Sequence, residues 1–254
     1  MSDILDLKDE VAIVTGGSQG LGESMGKALA QAGATVVLAS RNIQKLETVA
    51  TKIQSMGGSA EAVKCDISKY EDVQNMVKIV TKTYSKIDIL INNAGMNLPP
   101  KPLIDFSVPE WDTVIDANLK GTYFCCKLIC PEMIKRGKGK IINISSIIGS
   151  VALAGMGPYC IAKAGIISLT KVLALELAEH NITVNAIAPG FFDTPLGDNI
   201  RDKKDVMDFS IDRTPLGRWG QPEELSGLAV LLSSQSSSYI TGQTIFVDGG
   251  WTIW

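Results

Sequence analysis

Histidine is nearly absent from this chain, since His180 is the only one among 254 residues. A Ser–His–Asp hydrolase or a histidine-rich metal centre needs histidine as its base or its ligand. His180 lies in ALELAEHNITV, which is typical of a helix end, where a partial positive charge is favourable. Both classes of site are therefore nearly excluded.

The five cysteines lack the pattern that disulfides or a zinc site would need. Their number is odd and no two of them form a CxxC pair. We interpret them as buried thiols of a reducing compartment. Cys160 stands beside Tyr159, where two interpretations stay open, an oxidation-sensitive thiol and a structural filler.

Long apolar runs and an excess of basic charge are missing as well. No uncharged apolar stretch reaches the roughly 18 residues of a membrane span, and the opening MSDILDLKDE is acidic rather than signal-like. The net charge of −3 and the pI near 5.3 give no electrostatic footprint for nucleic acid. We therefore expect a cytoplasmic protein that binds neither membrane nor nucleic acid.

What the chain does have is a regular alternation of short apolar runs with helical patterns. Such alternation predicts an α/β fold, here a single-domain, doubly wound (Rossmann-type) structure over residues 1–254. The sheet is expected to hold seven parallel strands, with helices on both faces. The runs are VAIVT (11–15), TVVLAS (35–40), AEAVKCDI (60–67), IDILINN (87–93), KIINISS (140–146), NITVNAIAPG (181–190) and GQTIFVDGG (242–250).

One stretch breaks this alternation. Residues 191–221 are charged and punctuated by proline, and they lie between the sixth run and the next helical pattern. Long connections of this kind often serve as active-site lids. We predict a substrate lid here, and a plain surface loop is the alternative.

Tyr159 and Lys163 form a YxxxK motif shortly after the fifth apolar run, which ends in Ser145 and Ser146. On a helix, residues four apart share one face, so the ammonium would lie beside the phenol. A phenol titrates near 10, and one unit charge about 4 Å away contributes roughly 4 kcal/mol at an effective dielectric near 20. This is enough to bring the pKa to about 7, so Tyr159 is predicted to be a general acid–base. A serine hydroxyl at the same edge could hold a carbonyl oxygen.

The spacing alone is weak evidence, because Tyr123 and Lys127 form a second YxxxK motif. Tyr123 lies inside a long helical pattern beside Phe124, so we interpret it as a packing residue. Tyr159 instead follows a strand end and a glycine-rich loop, where open α/β sheets bind ligands. The context therefore favours Tyr159 as the catalytic residue.

The segment TGGSQGLG (15–22) follows the first strand and opens a helix. Glycines let the backbone approach a pyrophosphate, and free N–H groups at a helix start attract the anion. The spacing Gly16-x-x-x-Gly20-x-Gly22 differs from GxGxxG, so a tight structural turn remains the alternative.

The second strand ends in Ser40 and Arg41, where dinucleotide-binding proteins that choose NAD carry an acidic residue. A serine followed by an arginine would instead favour a 2′-phosphate. This favours NADP(H) over NAD(H), and a solvated helix-start charge is the alternative interpretation of Arg41. Asp66, at the end of the third strand, is suited to contact the adenine ring or to cap the next helix.

Together these residues resemble the short-chain dehydrogenase/reductase family, and the resemblance covers essentially the whole chain. TGGSQGLG is similar to the TGxxxGxG motif of the family and Asp66 to its adenine-site aspartate. The segment NNAG (92–95) is similar to the next family marker, and Pro189–Gly190 with Thr194 to its turn after the sixth strand.

The resemblance implies a tetrad of Asn118, Ser146, Tyr159 and Lys163, in which the family spacing to Tyr159 selects Ser146 over Ser145. Ser146 would steady the carbonyl, Tyr159 would move the proton, Lys163 would lower the phenol pKa and hold the ribose, and Asn118 would seat a water. Hydride would pass directly between nicotinamide and substrate, without a metal. An asparagine inside a helix can also simply bond the backbone, so that alternative stays open for Asn118.

The cofactor contacts that the resemblance implies come from the ends of successive strands. They are Gly16, Ser18, Gln19, Gly20, Leu21, Gly22, Ser40, Arg41, Asp66, Ile67, Asn93, Ala94, Gly95, Tyr159, Lys163, Pro189, Gly190, Phe192 and Thr194. The chain departs from the family at Gln19, where many NADP-using relatives carry a basic residue. The choice of NADP(H) therefore depends largely on Arg41, and NAD(H) stays open.

The substrate is indicated only by short patches of sequence. GRWGQPEEL (217–225) and the ending VDGGW (247–251) resemble gluconate 5-dehydrogenases and related keto-sugar-acid reductases, and such patches also occur in 3-oxoacyl-carrier-protein reductases. The resemblance implies oxidation of a secondary alcohol, or reduction of the ketone, on a sugar acid or polyol. A 3-oxoacyl thioester and a non-catalytic nucleotide-binding regulator are the alternatives.

Two further expectations concern charged and aromatic side chains near the C-terminus. Arg213 or Arg218 would meet a substrate carboxylate, or else form a salt bridge within the loop. Trp251 and Trp254 would lie at a subunit interface, since relatives are commonly homotetramers, or else pack in the core.

Overall fold

The computed structural model describes residues 4–197 and 204–253, and seven strands of it pair in one sheet with all pairings parallel. The strands run in the order β3-β2-β1-β4-β5-β6-β7. Their bounds are β1 Val11–Thr15, β2 Thr35–Ser40, β3 Ser59–Lys64, β4 Ile89–Asn92, β5 Gly139–Ile144, β6 Ile182–Pro189 and β7 Thr244–Val247. The strand order reverses between β1 and β4, which opens a crevice at their carboxyl ends.

Helices cover both faces of this sheet, as predicted. Within the described residues they are α1 Gly20–Gln31, α2 Ile43–Ser55, α3 Tyr70–Tyr84, α4 Val108–Ile115, α5 Gly121–Arg136, α6 Gly157–Leu177, α7 Lys204–Asp212 and α8 Glu223–Ser233. None of these described helices combines the length and the apolar character needed to cross a membrane.

The buried side chains divide into one apolar cluster for each face, because successive residues of a strand point to opposite sides. On β1, Ala12 and Val14 join the cluster that α1, α2 and α8 cover. Val11 and Ile13 join the opposite cluster, which α3, α5 and α6 cover. The continuous apolar runs therefore reflect strands that are buried on both faces.

Three local features differ from the predicted pattern. β5 ends at Ile144, so both serines of the Ser145–Ser146 pair lie beyond the strand. A π turn at Asp116–Lys120 lies between α4 and α5. Helix α5 then continues through Pro131 to Arg136. The stretch 191–221 contains helix α7 rather than loop alone, and its residues 198–203 lie outside the described part of the chain.

Candidate active site

A large cavity opens at the carboxyl ends of the strands, with a volume of about 880 Å³. Its wall is formed by the glycine-rich turn after β1 and by the segments that follow β2, β3, β4, β5 and β6. This size suits an elongated ligand such as a dinucleotide together with a small molecule. This cavity is therefore the candidate site.

The glycine-rich turn can form only because its glycines lack side chains. Gly16 has φ of 67°, and a Cβ atom there would lie 2.8 Å from Cα of Ala94. Gly22 lies beneath the turn, where a Cβ would approach the Gly16 carbonyl oxygen to 2.3 Å. The hydroxyl of Thr15 accepts hydrogen bonds from the backbone N–H of Asn93 (3.0 Å) and of Ala94 (3.1 Å), which ties this turn to β4.

The end of β2 brings cationic side chains to the rim of the cavity. Ser40, Arg41 and Lys45 all line it, as does Gln19 from the glycine-rich turn. The Lys45 ammonium donates a hydrogen bond of 3.0 Å to the side-chain oxygen of Gln19. Sequence reasoning singled out Ser40, Arg41 and Gln19 but missed Lys45, whose position beside Gln19 is set by the packing of α2 against α1.

Asp66 lies on the cavity wall after β3, next to Ile67. Its carboxylate accepts hydrogen bonds from the backbone N–H (3.1 Å) and the hydroxyl (2.8 Å) of Ser68. These bonds fix the turn into α3, so Asp66 both shapes the local backbone and presents a carboxylate at the cavity. The N-cap of α3 is Lys69 and no side chain caps this helix, so the helix-cap interpretation of Asp66 was wrong. Its contact with an adenine ring stays a prediction.

The structure separates the roles of the two adjacent serines after β5. Ser145 is buried, and its hydroxyl donates a hydrogen bond of 2.8 Å to the backbone carbonyl of Lys163. The Ser146 hydroxyl accepts a hydrogen bond of 3.4 Å from the Ile148 N–H and lines the cavity. Burial raises the pKa of the Tyr159 phenol, and the Ser146 hydroxyl acts in the opposite direction. Ser145 is thus tied to the backbone of α6, and the role of Ser146 beside Tyr159 stays a prediction.

Tyr159 and Lys163 are both buried on α6, with exposed fractions of 8% and 3%. The Lys163 ammonium lies 5.4 Å from the centre of the Tyr159 ring and donates a hydrogen bond of 2.8 Å to the Ile144 carbonyl. The pair therefore shares one helix face and opens onto the cavity, as the spacing predicted.

The electrostatic balance of this pair differs from the prediction. Burial raises the pKa of the Tyr159 phenol above its ordinary value of 10, and this exceeds the lowering by the Ser146 hydrogen bond. Burial also lowers the pKa of Lys163 from 10.5 to about 8. We expected one lysine to lower the pKa of the Tyr159 phenol to about 7, and this expectation was wrong. The expected value left out the desolvation of the buried phenol, which raises its pKa.

Asn118 lies in the π turn and is completely buried beneath the cavity wall. Its side-chain oxygen accepts from the backbone N–H of Met96 (3.1 Å), and its amide donates to the carbonyls of Met96 and Val114 (2.8 Å each). The side chain thus joins the loop after β4 to the helix that carries Asn118, so it bonds backbone groups.

Most of the predicted site residues meet in the one cavity. Two of them, Asn118 and Gly22, do not line it and lie directly behind its wall. The structure adds an apolar group that no motif indicated, since these residues are scattered along the chain. The group is Ile147, Ile148, Leu153, Met156, Phe191, Leu196 and Trp219.

The stretch 191–221 is anchored at both of its ends. Asp193 N–H donates to the Gly220 carbonyl (2.9 Å), and Gly220 N–H donates to the Phe191 carbonyl (2.9 Å). The Trp219 indole N–H donates to the buried Ser210 hydroxyl (2.7 Å), which holds α7 against the anchor. Phe192 and Thr194 line the cavity, so this stretch contributes to the wall, and its role as a lid stays a prediction.

Arg218 and Trp251, near the C-terminus, both make contacts within the chain. Arg218 forms a two-fold ion pair with Glu224 (2.7 Å for both contacts), which lowers the pKa of Glu224 to about 2. Trp251 is only 2% exposed and packs against Phe191, with the Arg213 guanidinium 4.4 Å from its ring centre. The interface interpretation of Trp251 was therefore wrong, because the chain itself already buries this side chain.

The fourth tryptophan, Trp254, lies outside the described residues. The homotetramer stays a prediction, which the molar mass measured by analytical ultracentrifugation would test.

Comparison with known proteins agrees with this geometry. A family model described as enoyl-(acyl carrier protein) reductase matches residues 16–252. The chain therefore belongs to this family of short-chain dehydrogenases/reductases, and it is an oxidoreductase. This assignment favours an enzyme over the non-catalytic regulator.

Individual relatives are named for different substrates. Gluconate 5-dehydrogenase of Gluconobacter oxydans is 38% identical over 99% of this chain and 98% of its own length. A 3-oxoacyl-[acyl-carrier-protein] reductase of Thermotoga maritima is 36% identical over 97% of this chain and 99% of its own length. A crystal structure of gluconate 5-dehydrogenase from Burkholderia cenocepacia in complex with NADP and tartrate has a TM-score of 0.95 at 36% identity, covering 99% of this chain and 98% of that one.

Proposed function

We propose that this protein is an NADP(H)-dependent oxidoreductase that interconverts a secondary alcohol and a ketone by hydride transfer. The observation that carries the proposal is one shared cavity, whose wall includes the glycine-rich turn as well as Ser146, Tyr159 and Lys163. A dinucleotide-binding turn and a proton-transfer group that share one cavity are what this reaction needs.

The residues present fit a dinucleotide. A Cβ on Gly16 or Gly22 would collide with neighbouring backbone, so the turn brings bare peptide groups close to the cavity. N–H groups at the start of α1 favour a pyrophosphate. Asp66, which follows β3, also lines the cavity. When bound, the nicotinamide dinucleotide supplies or accepts the hydride.

The chain's own residues would then manage the carbonyl oxygen and its proton. Ser146 would hold the oxygen, and Tyr159 would donate the proton during reduction or remove it during oxidation. A positive charge on Lys163 opposes the effect of burial on the phenol and can contact a ribose from the same helix face. Asn118 would act as a positioning residue, since its side chain holds the loop that carries Gly95 and Met96.

The preference for NADP(H) is supported by the charges at the end of β2. Arg41 and Lys45 line the cavity there, whereas an enzyme that prefers NAD would be expected to carry a carboxylate. Arg41→Ala should therefore reduce the preference for NADPH over NADH in kcat/KM by about ten- to hundredfold, as expected for a charged hydrogen bond worth about 1.5–3 kcal/mol. Arg218→Ala is the matched control, because that arginine is paired with Glu224.

An unchanged preference in Arg41→Ala would discard the phosphate-binding role of Arg41. A wild-type enzyme that prefers NADH would contradict the proposed cofactor itself.

For the substrate we propose a sugar acid or polyol, as the similarity to gluconate 5-dehydrogenases suggests. One observation favours a second candidate, the 3-oxoacyl thioester. Tyr159 belongs to an apolar cluster whose other cavity-lining members are Ile147, Ile148, Leu153, Met156 and Phe191. An acyl chain would bury this surface, whereas the hydroxyl groups of a sugar acid need polar partners.

The two substrates can be separated directly. Purified enzyme is assayed in the oxidative direction with gluconate, with neutral polyols and with 3-hydroxyacyl thioesters, each with NADP⁺ and with NAD⁺. Leu153→Asn provides a second readout, since a polar group on the wall should lower kcat/KM for a thioester more than for gluconate. A higher kcat/KM for the thioester would replace the sugar-acid proposal with the second candidate.

A further inference from the structure

Lys45 and Gln19 form a contact that the fold brings about between two separate helices. Lys45 lies in the first turn of α2, where its backbone N–H donates to the Asn42 side chain that caps this helix (3.0 Å). Its ammonium reaches across to Gln19, the residue before α1, at 3.0 Å. The glutamine oxygen thereby holds a positive charge at the edge of the glycine-rich turn.

The charge is available to a ligand because no carboxylate of the described residues pairs with it. Glu23 on α1 is the nearby acid that could have done so, but it pairs with Lys27 (2.7 Å) and Lys52 (3.5 Å). Lys45 also lines the cavity beside Ser40 and Arg41, so two cations and a hydroxyl share this corner. One of the three N–H donors of Lys45 goes to Gln19, and the geometry leaves the others for an anion.

A hydrogen bond between two exposed side chains contributes little to the stability of a fold. The importance of this contact therefore lies in where it holds the charge. Position 19 itself is a neutral glutamine. The neutral residue nevertheless has a lysine ammonium bound to its oxygen.

We propose that Lys45, positioned by Gln19, is a specificity-determining residue that binds the 2′-phosphate of NADP(H) together with Arg41. In this arrangement the second cation of the phosphate site comes from α2 instead of the glycine-rich turn. The inference rests on the proposed use of NADP(H) and adds Lys45 to Arg41 as the second cation of that site. The adenosine 2′-phosphate is a dianion near neutral pH, so a second cation strengthens its binding selectively over a 2′-hydroxyl.

Binding affinity tests this inference without any turnover. Dissociation constants for NADPH and NADH are measured by isothermal titration calorimetry with wild-type protein, Lys45→Met, and Lys52→Met as the matched control on the same helix. Lys45→Met should weaken NADPH binding by about five- to tenfold and leave NADH binding within about twofold, because only the phosphate contact is lost. The loss should shrink when the salt concentration is raised from 0.05 M to 0.5 M, since exposed charges are screened.

A charge-restoring variant keeps the test decisive. Gln19→Arg in the Lys45→Met background should recover most of the NADPH affinity, because it returns a cation to the same corner. Equal weakening of NADPH and NADH, or an unchanged NADPH affinity in Lys45→Met, would overturn the role of Lys45. The wild-type ratio of the two affinities and its response to Arg41→Ala test the cofactor proposal separately, so the two failures can be told apart.

Discussion

Two YxxxK pairs in this chain have the same spacing and nearly the same geometry but very different surroundings. The ammonium lies 5.4 Å from the ring centre in the Tyr159–Lys163 pair and 6.0 Å in the Tyr123–Lys127 pair. Tyr159 is 8% exposed and lines the cavity, whereas Tyr123 is 45% exposed on the outer face of α5. Tyr123 is thus a surface residue, and its interpretation as a packing residue was wrong.

Helical spacing places an ammonium beside a phenol in both pairs, but it does not by itself make the phenol a proton-transfer group. A cation near an exposed phenol is screened by water and has no ligand to act on. At Tyr159, burial, the Ser146 hydroxyl and the neighbouring glycine-rich turn combine in one cavity. Proton transfer to a substrate is possible only where all of these coincide.

The largest expected effect comes from removing the Tyr159 hydroxyl. Tyr159→Phe should lower kcat by about 10³-fold, within the range for loss of a general acid–base, because the variant lacks the hydroxyl that is proposed to move the proton. The dissociation constant of NADPH, measured by fluorescence titration, should stay within about twofold of wild type. Tyr123→Phe removes the same hydroxyl from the exposed pair and should leave kcat unchanged. Normal turnover in Tyr159→Phe, or an equal loss in Tyr123→Phe, would end the distinction between the two pairs.

The two adjacent serines sharpen the same comparison at a smaller scale. Ser146→Ala should lower kcat by about 10²-fold, as for removal of one donor to a developing oxyanion. It should also move the pH dependence of the rate upward, because the hydrogen bond that lowers the pKa of Tyr159 is lost. Steady-state rates across pH 6–10 measure both effects.

Ser145→Ala is the matched control for Ser146→Ala. It removes the hydrogen bond to the Lys163 carbonyl and should cost about 1–3 kcal/mol of unfolding free energy, with little change in kcat of the folded enzyme. A similar loss of kcat in both variants would show that the serines do not differ in function.

The smallest expected effect is on the pH dependence of the unfolding free energy, which should differ between variants of Lys163 and of Lys127. Since burial lowers the pKa of Lys163 to about 8, the folded protein binds fewer protons than the unfolded chain between that pKa and 10.5. The cost of burying the charge is therefore fully present below pH 8, and stability is regained as pH rises.

Lys163→Met removes this cost at every pH, whereas the wild type regains stability only as pH rises. The unfolding free energy of the variant minus that of the wild type should therefore fall by about 2 kcal/mol between pH 7 and pH 9.5. Urea unfolding at the two pH values measures the change. Lys127→Met, at an exposed position, should give the same difference from wild type at both pH values. A pH-independent difference for Lys163→Met would mean that Lys163 is not desolvated in the folded protein.

Much of the fold could be predicted from local patterns. The seven apolar runs became the seven strands. The five inner strands are buried along nearly their whole length and therefore must be apolar almost throughout, whereas the edge strands β3 and β7 are partly exposed. The capping box of Ser107 and Glu110 formed as its spacing predicts, with Glu110 Oε2 accepting from the Ser107 N–H at 2.9 Å. The π turn that holds Asn118 carried no such local signal, since its hydrogen bonds go to the loop at Met96.

The candidate site could be predicted only where motifs are contiguous. TGGSQGLG and YxxxK each lie within a few residues, so their backbone or helix geometry follows from the residues themselves. The apolar wall and the Lys45–Gln19 contact join residues from distant parts of the chain, which no spacing rule connects. The pKa of Tyr159 was misjudged for the same reason, because desolvation depends on everything packed around the phenol.

The amino-acid sequence by itself determined the strands, the glycine-rich turn and the pairing of a phenol with an ammonium four residues later. These features depend on backbone sterics and helical geometry, which act between near neighbours in the chain. Only the tertiary structure decided which of two phenols is buried at a cavity, which of two serines is hydrogen-bonded to the α6 backbone, and where a lysine charge is held. Burial and through-space electrostatics decide these matters, and both depend on segments that meet only when the sheet is assembled.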